Sequence, residues 1–135
     1  MDGSEIRHPR ILVADEDDTV REVTREMLRG FGMEADSVRT SGELMDRYRR
    51  SLIRSRRYDL VILGVYRPFE LGGEAEATRL LELDPDARVI ISTALVGGAS
   101  FPVRGPLESV HFLARPYRMQ DLLRAVQDAL SHPKG

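Results

Sequence analysis

Stretches that read as buried strands alternate along this chain with stretches of helical periodicity, and that alternation limits the fold more than any other feature. Arg10-Ile11-Leu12-Val13-Ala14 is apolar almost without a break, which suits a strand covered on both faces. From Thr19 the period changes. Val20, Val23, Met27, Leu28 and Phe31 recur on one helical face, with Asp17 or Asp18 placed to cap its start and Gly30 or Gly32 its end. Glu34 to Arg39 is a weaker strand whose only apolar residues are Ala35 and Val38. Thr40-Ser41-Gly42-Glu43 reads as a capping box for a second helix, which turns Leu44, Met45, Tyr48, Leu52 and Ile53 toward a core. Tyr58 to Leu63 is the clearest strand and ends at Gly64. A helix through Ala77, Leu80, Leu81 and Leu83 breaks at Asp84-Pro85-Asp86 and leads into a strand from Arg88 to Thr93. Val110 to Ala114 is a short fifth strand, and Met119, Leu122, Leu123, Val126 and Leu130 mark a last amphipathic helix with Arg118 in the N-cap place.

This order predicts an α/β fold: a doubly wound, five-stranded parallel sheet with flanking helices on both faces and right-handed crossovers. In such sheets the functional site lies beyond the C-terminal ends of the strands, near the switch in strand order. The 135 residues fit one domain, expected over 10–131, with an N-terminal extension at 1–9 and a C-terminal tail at 132–135.

Composition removes several function classes. Without cysteine there is no disulfide, thiolate metal site or cysteine nucleophile. Twenty basic residues stand against 22 acidic ones for a formal net charge of −2, too even for a general nucleic-acid or membrane binder. The arginines from Arg47 to Arg57 are interleaved with acids nearby and read first as a solvated helix face, with docking of an acidic partner or nucleic acid as the sharper alternative. His8, His111 and His132 have no metal-ligand spacing, and no phosphate loop, dinucleotide fingerprint or Ser/His/Asp constellation is present. The polar segment Met1 to Arg10 has no apolar signal core, and no run approaches the roughly 20 apolar residues of a membrane span, so a cytoplasmic, non-membrane protein is expected.

The strand ends carry the specific chemistry. The first runs into Asp15-Glu16-Asp17, the third into Gly64, the fourth into Ser92-Thr93-Ala94 and the fifth into Ala114-Arg115-Pro116. An apolar strand meeting an acidic pair, a strand YDLVIL, a strand ending Thr-Ala and a basic residue followed by Pro resemble the response-regulator receiver domain of two-component signalling, over roughly Pro9 to Leu130. The resemblance implies the flavodoxin-like receiver fold. It also implies an acceptor Asp at the end of the third strand, phosphorylated by a histidine kinase with Mg²⁺ supported by the acidic pair. A Thr or Ser and a Lys bind the phosphoryl oxygens, and an aromatic residue switches with the Thr. Residue by residue, the acidic pair is Asp15 and Glu16, the switch positions are Thr93 and Phe112, the Pro is Pro116, and the carbonyl ligand to the metal belongs to Tyr66.

Two positions depart from that pattern. The acceptor place holds Gly64, which has no nucleophile, and the Lys place holds Arg115, a planar fork that is no equivalent of an ammonium. Mg²⁺ binding is therefore expected to be weak or absent, with Asp15, Glu16 and the Tyr66 carbonyl as the candidate ligands, and no cofactor is expected. Arg115 is expected to reach into the volume freed at Gly64 and bridge Asp15 or Glu16 in place of the metal. Residues 95–109, where the resemblance implies a fourth helix, hold Gly97, Gly98, Pro102, Gly105 and Pro106 and predict an irregular segment, with Phe101 and Val103 as candidate apolar anchors.

Plainer roles stand beside these. The acids after the first strand also suit helix capping, Thr93 also suits a strand terminus, and Phe112 suits ordinary core packing. The reading that follows is a degenerate receiver without an acceptor: a phosphorylation-independent pseudo-receiver, not an enzyme, acting as a signalling and interaction module in a bacterial two-component pathway. Its expected partner is a protein, a histidine kinase among the candidates, with a homodimer also allowed and no nucleic acid. The alternatives are a receiver phosphorylated at Asp15 or Asp17, and a sensor of small anions or nucleotides built from Arg115 and Thr93.

Overall fold

A computed structural model describes residues 8–65, 72–93 and 110–131. Its elements run β1 (Arg10–Ala14), α1 (Asp18–Gly30), β2 (Glu34–Val38), α2 (Ser41–Ile53), β3 (Leu60–Val65), α3 (Gly72–Leu83), β4 (Val89–Thr93), β5 (His111–Ala114) and α4 (Met119–Ser131). The five strands form one parallel sheet in the order β2-β1-β3-β4-β5. The α/β doubly wound expectation is met. Residues 1–7, 66–71, 94–109 and 132–135 lie outside the described residues, and with them the readings made for Tyr66, Phe101, Val103 and the 95–109 segment.

Period-2 alternation divides the central strands between two cores. Leu12, Val61, Leu63, Val89 and Ile91 pack with Leu44 and Tyr48 of α2 and with Ala77 and Leu80 of α3. Ile11, Val13, Leu60, Ile62 and Ile90 face the other way, onto Leu28 of α1 and Leu122 and Val126 of α4. Burying each such side chain contributes about 1.5–3 kcal/mol, which is why apolar residues run consecutively over Ile11–Ala14, Leu60–Leu63 and Val89–Ile91. The chain leaves β1 for β2 at the edge and returns to β3 on the other side of β1. That reversal places the switch point between the C-terminal ends of β1 and β3.

Capping residues set the helix starts. Asp17 accepts a 3.0 Å hydrogen bond from Val20 N at the start of α1, and Thr40 and Glu43 form the expected capping box on α2. At α4 the Arg118 amide donates to Asp121 Oδ2 at 3.0 Å, the half of a capping box in which the first-turn acid accepts the N-cap amide. Gly30 closes α1 inside the helix, Phe31 is the C-cap, and Gly32 takes the left-handed turn with φ of +85°.

Several details differ from the sequence expectation. β3 begins at Leu60, not Tyr58, and extends past Gly64 to Val65. Ile53, assigned to the core, is 76% exposed because it is the last residue of α2, where the helix face has turned away from the sheet. Val23 and Met119 are likewise exposed. On α1 Thr24 is buried along with Leu28, and a hydrophobic period cannot single Thr24 out. Phe112 does not pack in the core: β5 is the sheet edge, and only its Leu113 face is buried under α4.

Candidate functional site

The strand register brings Gly64 of β3 level with Ser92 of β4, and Val65 level with Thr93. Asp15 follows Ala14, which is itself paired with Leu63, so Asp15 arrives beside Gly64 on the far side of β3. The expected gathering of Asp15, Gly64 and Thr93 at one end of the sheet is therefore present. Asp15, Ser92 and Thr93 are all buried.

Asp15 governs the local geometry. Its Oδ1 accepts the Asp17 amide at 2.9 Å, a short loop that turns the chain from β1 into α1. Its backbone carbonyl accepts from Arg21 Nη1 at 3.1 Å, and its own amide donates to the Val38 carbonyl at 3.1 Å. Held this way, the carboxylate lies against the Cα of Gly64. A Cβ on Gly64 would stand 2.7 Å from Asp15 Cγ and closer still to Oδ2, inside the distance that carbon atoms tolerate. The volume at Gly64 that was expected to admit Arg115 is thus taken by Asp15. The β1–α1 turn holds Asp15 there by fixing its carboxylate on the Asp17 amide.

The other acids are separate from that contact. Glu16 is exposed, and Asp17 is used as the α1 N-cap. Arg115 reaches the end of β3, where its Nη2 donates to the Val65 carbonyl, while its amide donates to the Thr93 carbonyl at 2.8 Å. The Arg115–Pro116 bond is cis. Tyr117 lies under α1, where the Thr24 and Tyr117 hydroxyls share a 2.6 Å hydrogen bond. Burial pushes the Tyr117 phenol above its usual range; the bond to Thr24 works against this, the Asp15 carboxylate adds to it and Arg115 opposes it. Tyr117 and Thr24 are the site residues that sequence reasoning missed. The signal for Tyr117 was its place directly after Pro116; Thr24 carried none, because its burial depends on Tyr117.

The acidic pair does not fit a Mg²⁺ site. Gly64 offers no carboxylate, the Asp15 oxygens are turned onto the sheet, and Glu16 stands apart in solvent. Among the described residues no group of three or more His, Asp or Glu side chains could hold a metal ion.

Beside Tyr117, α1 and the β5–α4 connection enclose an open groove of about 430 Å³, lined chiefly by Val20, Val23, Met27, Pro116 and Tyr117. Among the described residues no helix is long and apolar enough to cross a membrane.

No protein-family model matches the chain. It is 32% identical over 124 residues to the DNA-binding transcriptional regulator NtrC of Azospirillum brasilense, covering 90% of this chain and 24% of that protein. The chain thus spans about a quarter of the length of this curated relative. Among solved structures, chemotaxis protein CheY4 of Vibrio cholerae superposes with a TM-score of 0.78 at 16% identity, over 92% of this chain and all of that one. Response regulator TrrA of Thermotoga maritima, solved with Mg²⁺ and BeF, gives 0.72 at 26% identity, over 90% and 99% of the two chains. The structure of TrrA in complex with histidine kinase ThkA gives 0.73 at 27% identity, over 91% and 99%. The strand order and these superpositions agree: the chain has the receiver-domain fold of two-component response regulators.

Proposed function

We propose that this chain is a pseudo-receiver, a receiver-like module that signals by binding a protein partner without being phosphorylated. The observation that carries the reading is the contact between Asp15 and Gly64. An acceptor carboxylate has no place at Gly64 while Asp15 holds its rotamer, and the acid that fills the volume is itself buried and bonded to the Asp17 amide. The module needs no metal: removing one carboxylate from a cluster removes repulsion of about 4 kcal/mol per close pair at an effective dielectric near 20, which is the charge a cation otherwise offsets. It performs no catalysis of its own.

The partner we assign is a histidine kinase or another protein of a bacterial two-component pathway, met in the cytoplasm. TrrA is bound to the kinase ThkA in its solved complex, and the α1 groove with exposed Val23 gives this chain an apolar surface next to the strand-end pocket. Neither nucleic acid nor membrane is part of this reading.

The test is an amide NMR spectrum of the whole chain with Mg²⁺ and beryllofluoride added. The proposal expects the Gly64, Ser92, Thr93 and Arg115 signals to stay in place. Saturable shifts confined to those four would mean a working phosphoryl pocket and would overturn it, whether the acceptor is Asp15, Asp17 or another acid.

A further inference from the structure

At the opposite end of the sheet five arginines converge on one cavity. Arg10 opens β1, Arg47 and Arg50 lie on the last turns of α2, Arg54 caps that helix, and Arg56 lies on the way to β3. With Tyr58 they line a recess of about 280 Å³. Receiver chemistry does not account for it, since it lies at the N-terminal ends of the strands. A favourable interaction of cations with the C-terminus of α2 explains Arg50 and Arg54. It does not explain Arg10 and Arg56, which come from other elements.

The acids nearby do not saturate this cluster. Glu34 Oε1 is divided between Arg10 Nε at 3.5 Å and Arg56 Nη2 at 3.7 Å. Asp36 Oδ2 is divided between Arg47 Nη1 at 3.6 Å and Arg10 Nη2 at 3.8 Å, and also accepts the Tyr58 hydroxyl at 2.7 Å. Those four ion-pair distances are too long for well-formed hydrogen bonds. Arg10 Nη1 donates to the Arg56 and Arg57 carbonyls, whereas its buried Nε has no hydrogen-bond partner among the described residues. Asp46 is engaged by Arg50 on the outer face, and Arg54 makes no ion pair among the described residues. Among the described residues the five guanidinium groups face three carboxylates, those of Glu34, Asp36 and Asp46, while the nearby Asp59 carboxylate is taken by the Arg10 amide at 2.7 Å, so N–H donors of Arg47, Arg54 and Arg56 are left over.

We infer that this recess is an anion site for a small ligand carrying two or more phosphate charges. Guanidinium forks match phosphate oxygens in pairs, and a multiply charged anion outcompetes the singly charged carboxylates already present. The Arg10 guanidinium lies 4.5 Å over the Tyr58 ring and covers that face, so the site recognises phosphate and offers no stacking platform for a base. The ligand is an inorganic polyphosphate or the diphosphate of a nucleotide. The inference does not depend on the pseudo-receiver reading, because the two sites are at opposite ends of the strands.

The test is an amide NMR titration of the whole chain at constant ionic strength with inorganic pyrophosphate, and in parallel with ADP. Saturable shifts at Ser51, Arg54 and Tyr58, with Gly64 and Thr93 unmoved, are the expected result. Equal affinities for the two probes would mark recognition of the diphosphate alone, and tighter ADP binding would mark a nucleotide as the source. Arg54→Gln, at an exposed position without an ion pair, should weaken binding about tenfold or more with an unchanged melting temperature. Non-saturable shifts, shifts elsewhere, or an affinity indifferent to Arg54→Gln would overturn the site. So would a single-stranded oligonucleotide that binds more tightly than either probe.

Discussion

The carboxylate of Asp15, the residue after β1, occupies the space that a Cβ on Gly64 of β3 would take. Neither position can be changed independently. Gly64→Ala should destabilise the protein by about 1–3 kcal/mol through overpacking, because Asp15 must abandon its bond to the Asp17 amide to make room. In an Asp15→Ala background the same substitution should be neutral or stabilising, since a strand favours Ala over Gly. Chemical denaturation of the four proteins measures the coupling, expected at about 1 kcal/mol or more. A coupling near zero would mean that the contact does not constrain the site.

The acids after β1 should separate by role. Asp17→Ala removes the α1 cap and should cost about 1 kcal/mol, whereas Glu16→Ala, at an exposed position, should leave the melting temperature within about 1 °C of wild type. Equal losses in both variants would contradict the assignment of capping to Asp17.

Asp84 ties α2, the approach to β3 and the end of α3 together. It accepts from the Tyr48 hydroxyl at 2.7 Å and from Arg57 Nη2, and its Oδ1 accepts the Asp86 amide at 3.0 Å. Burial alone would raise its pKa, but these donors outweigh burial and hold the carboxyl below its usual 3.8. A depressed folded-state value means that the contribution is complete above the unfolded pKa and is lost as pH falls through the folded one. Asp84→Asn should therefore lower stability at neutral pH and flatten the acid limb of the stability–pH curve below pH 3.8. Asp84→Ala strands the Tyr48 hydroxyl in the core and should cost about 1–3 kcal/mol. An unaltered acid limb in Asp84→Asn would remove Asp84 from this account.

The alkaline limb has the opposite sign. Burial raises the phenols of Tyr48, Tyr58 and Tyr117 above the usual 10.0. Their contribution is complete below the unfolded pKa and is lost as pH rises through the raised folded values. Ultraviolet titration of the native chain should show most phenolate absorbance appearing later than in the denatured chain. Coincident curves would show these tyrosines to be solvated.

The fold was legible because burial on both faces leaves the middle of β1, β3 and β4 almost wholly apolar, and because Thr40 and Glu43 write a helix start directly into the sequence. The burial of Thr24 was not legible, since its reason is Tyr117, 93 residues away. Ile53 and Phe112 misled for a related reason: hydrophobicity does not reveal where a helix ends or which strand is the sheet edge. Within the site, the missing side chain at Gly64 was plain in the sequence, but what fills its place was not. That depends on the Asp15 rotamer, set by a backbone amide in the turn.

Loss of phosphorylation can be read by intact-mass analysis of the wild-type chain after incubation with Mg²⁺ and a small-molecule phosphodonor, with Gly64→Asp alongside. The account predicts no phosphoryl adduct on wild type. An adduct on Gly64→Asp alone would confine the loss to one side chain, and no adduct on either would show that Asp15 also blocks the restored acceptor. A phosphoryl group on the wild-type chain would contradict the account.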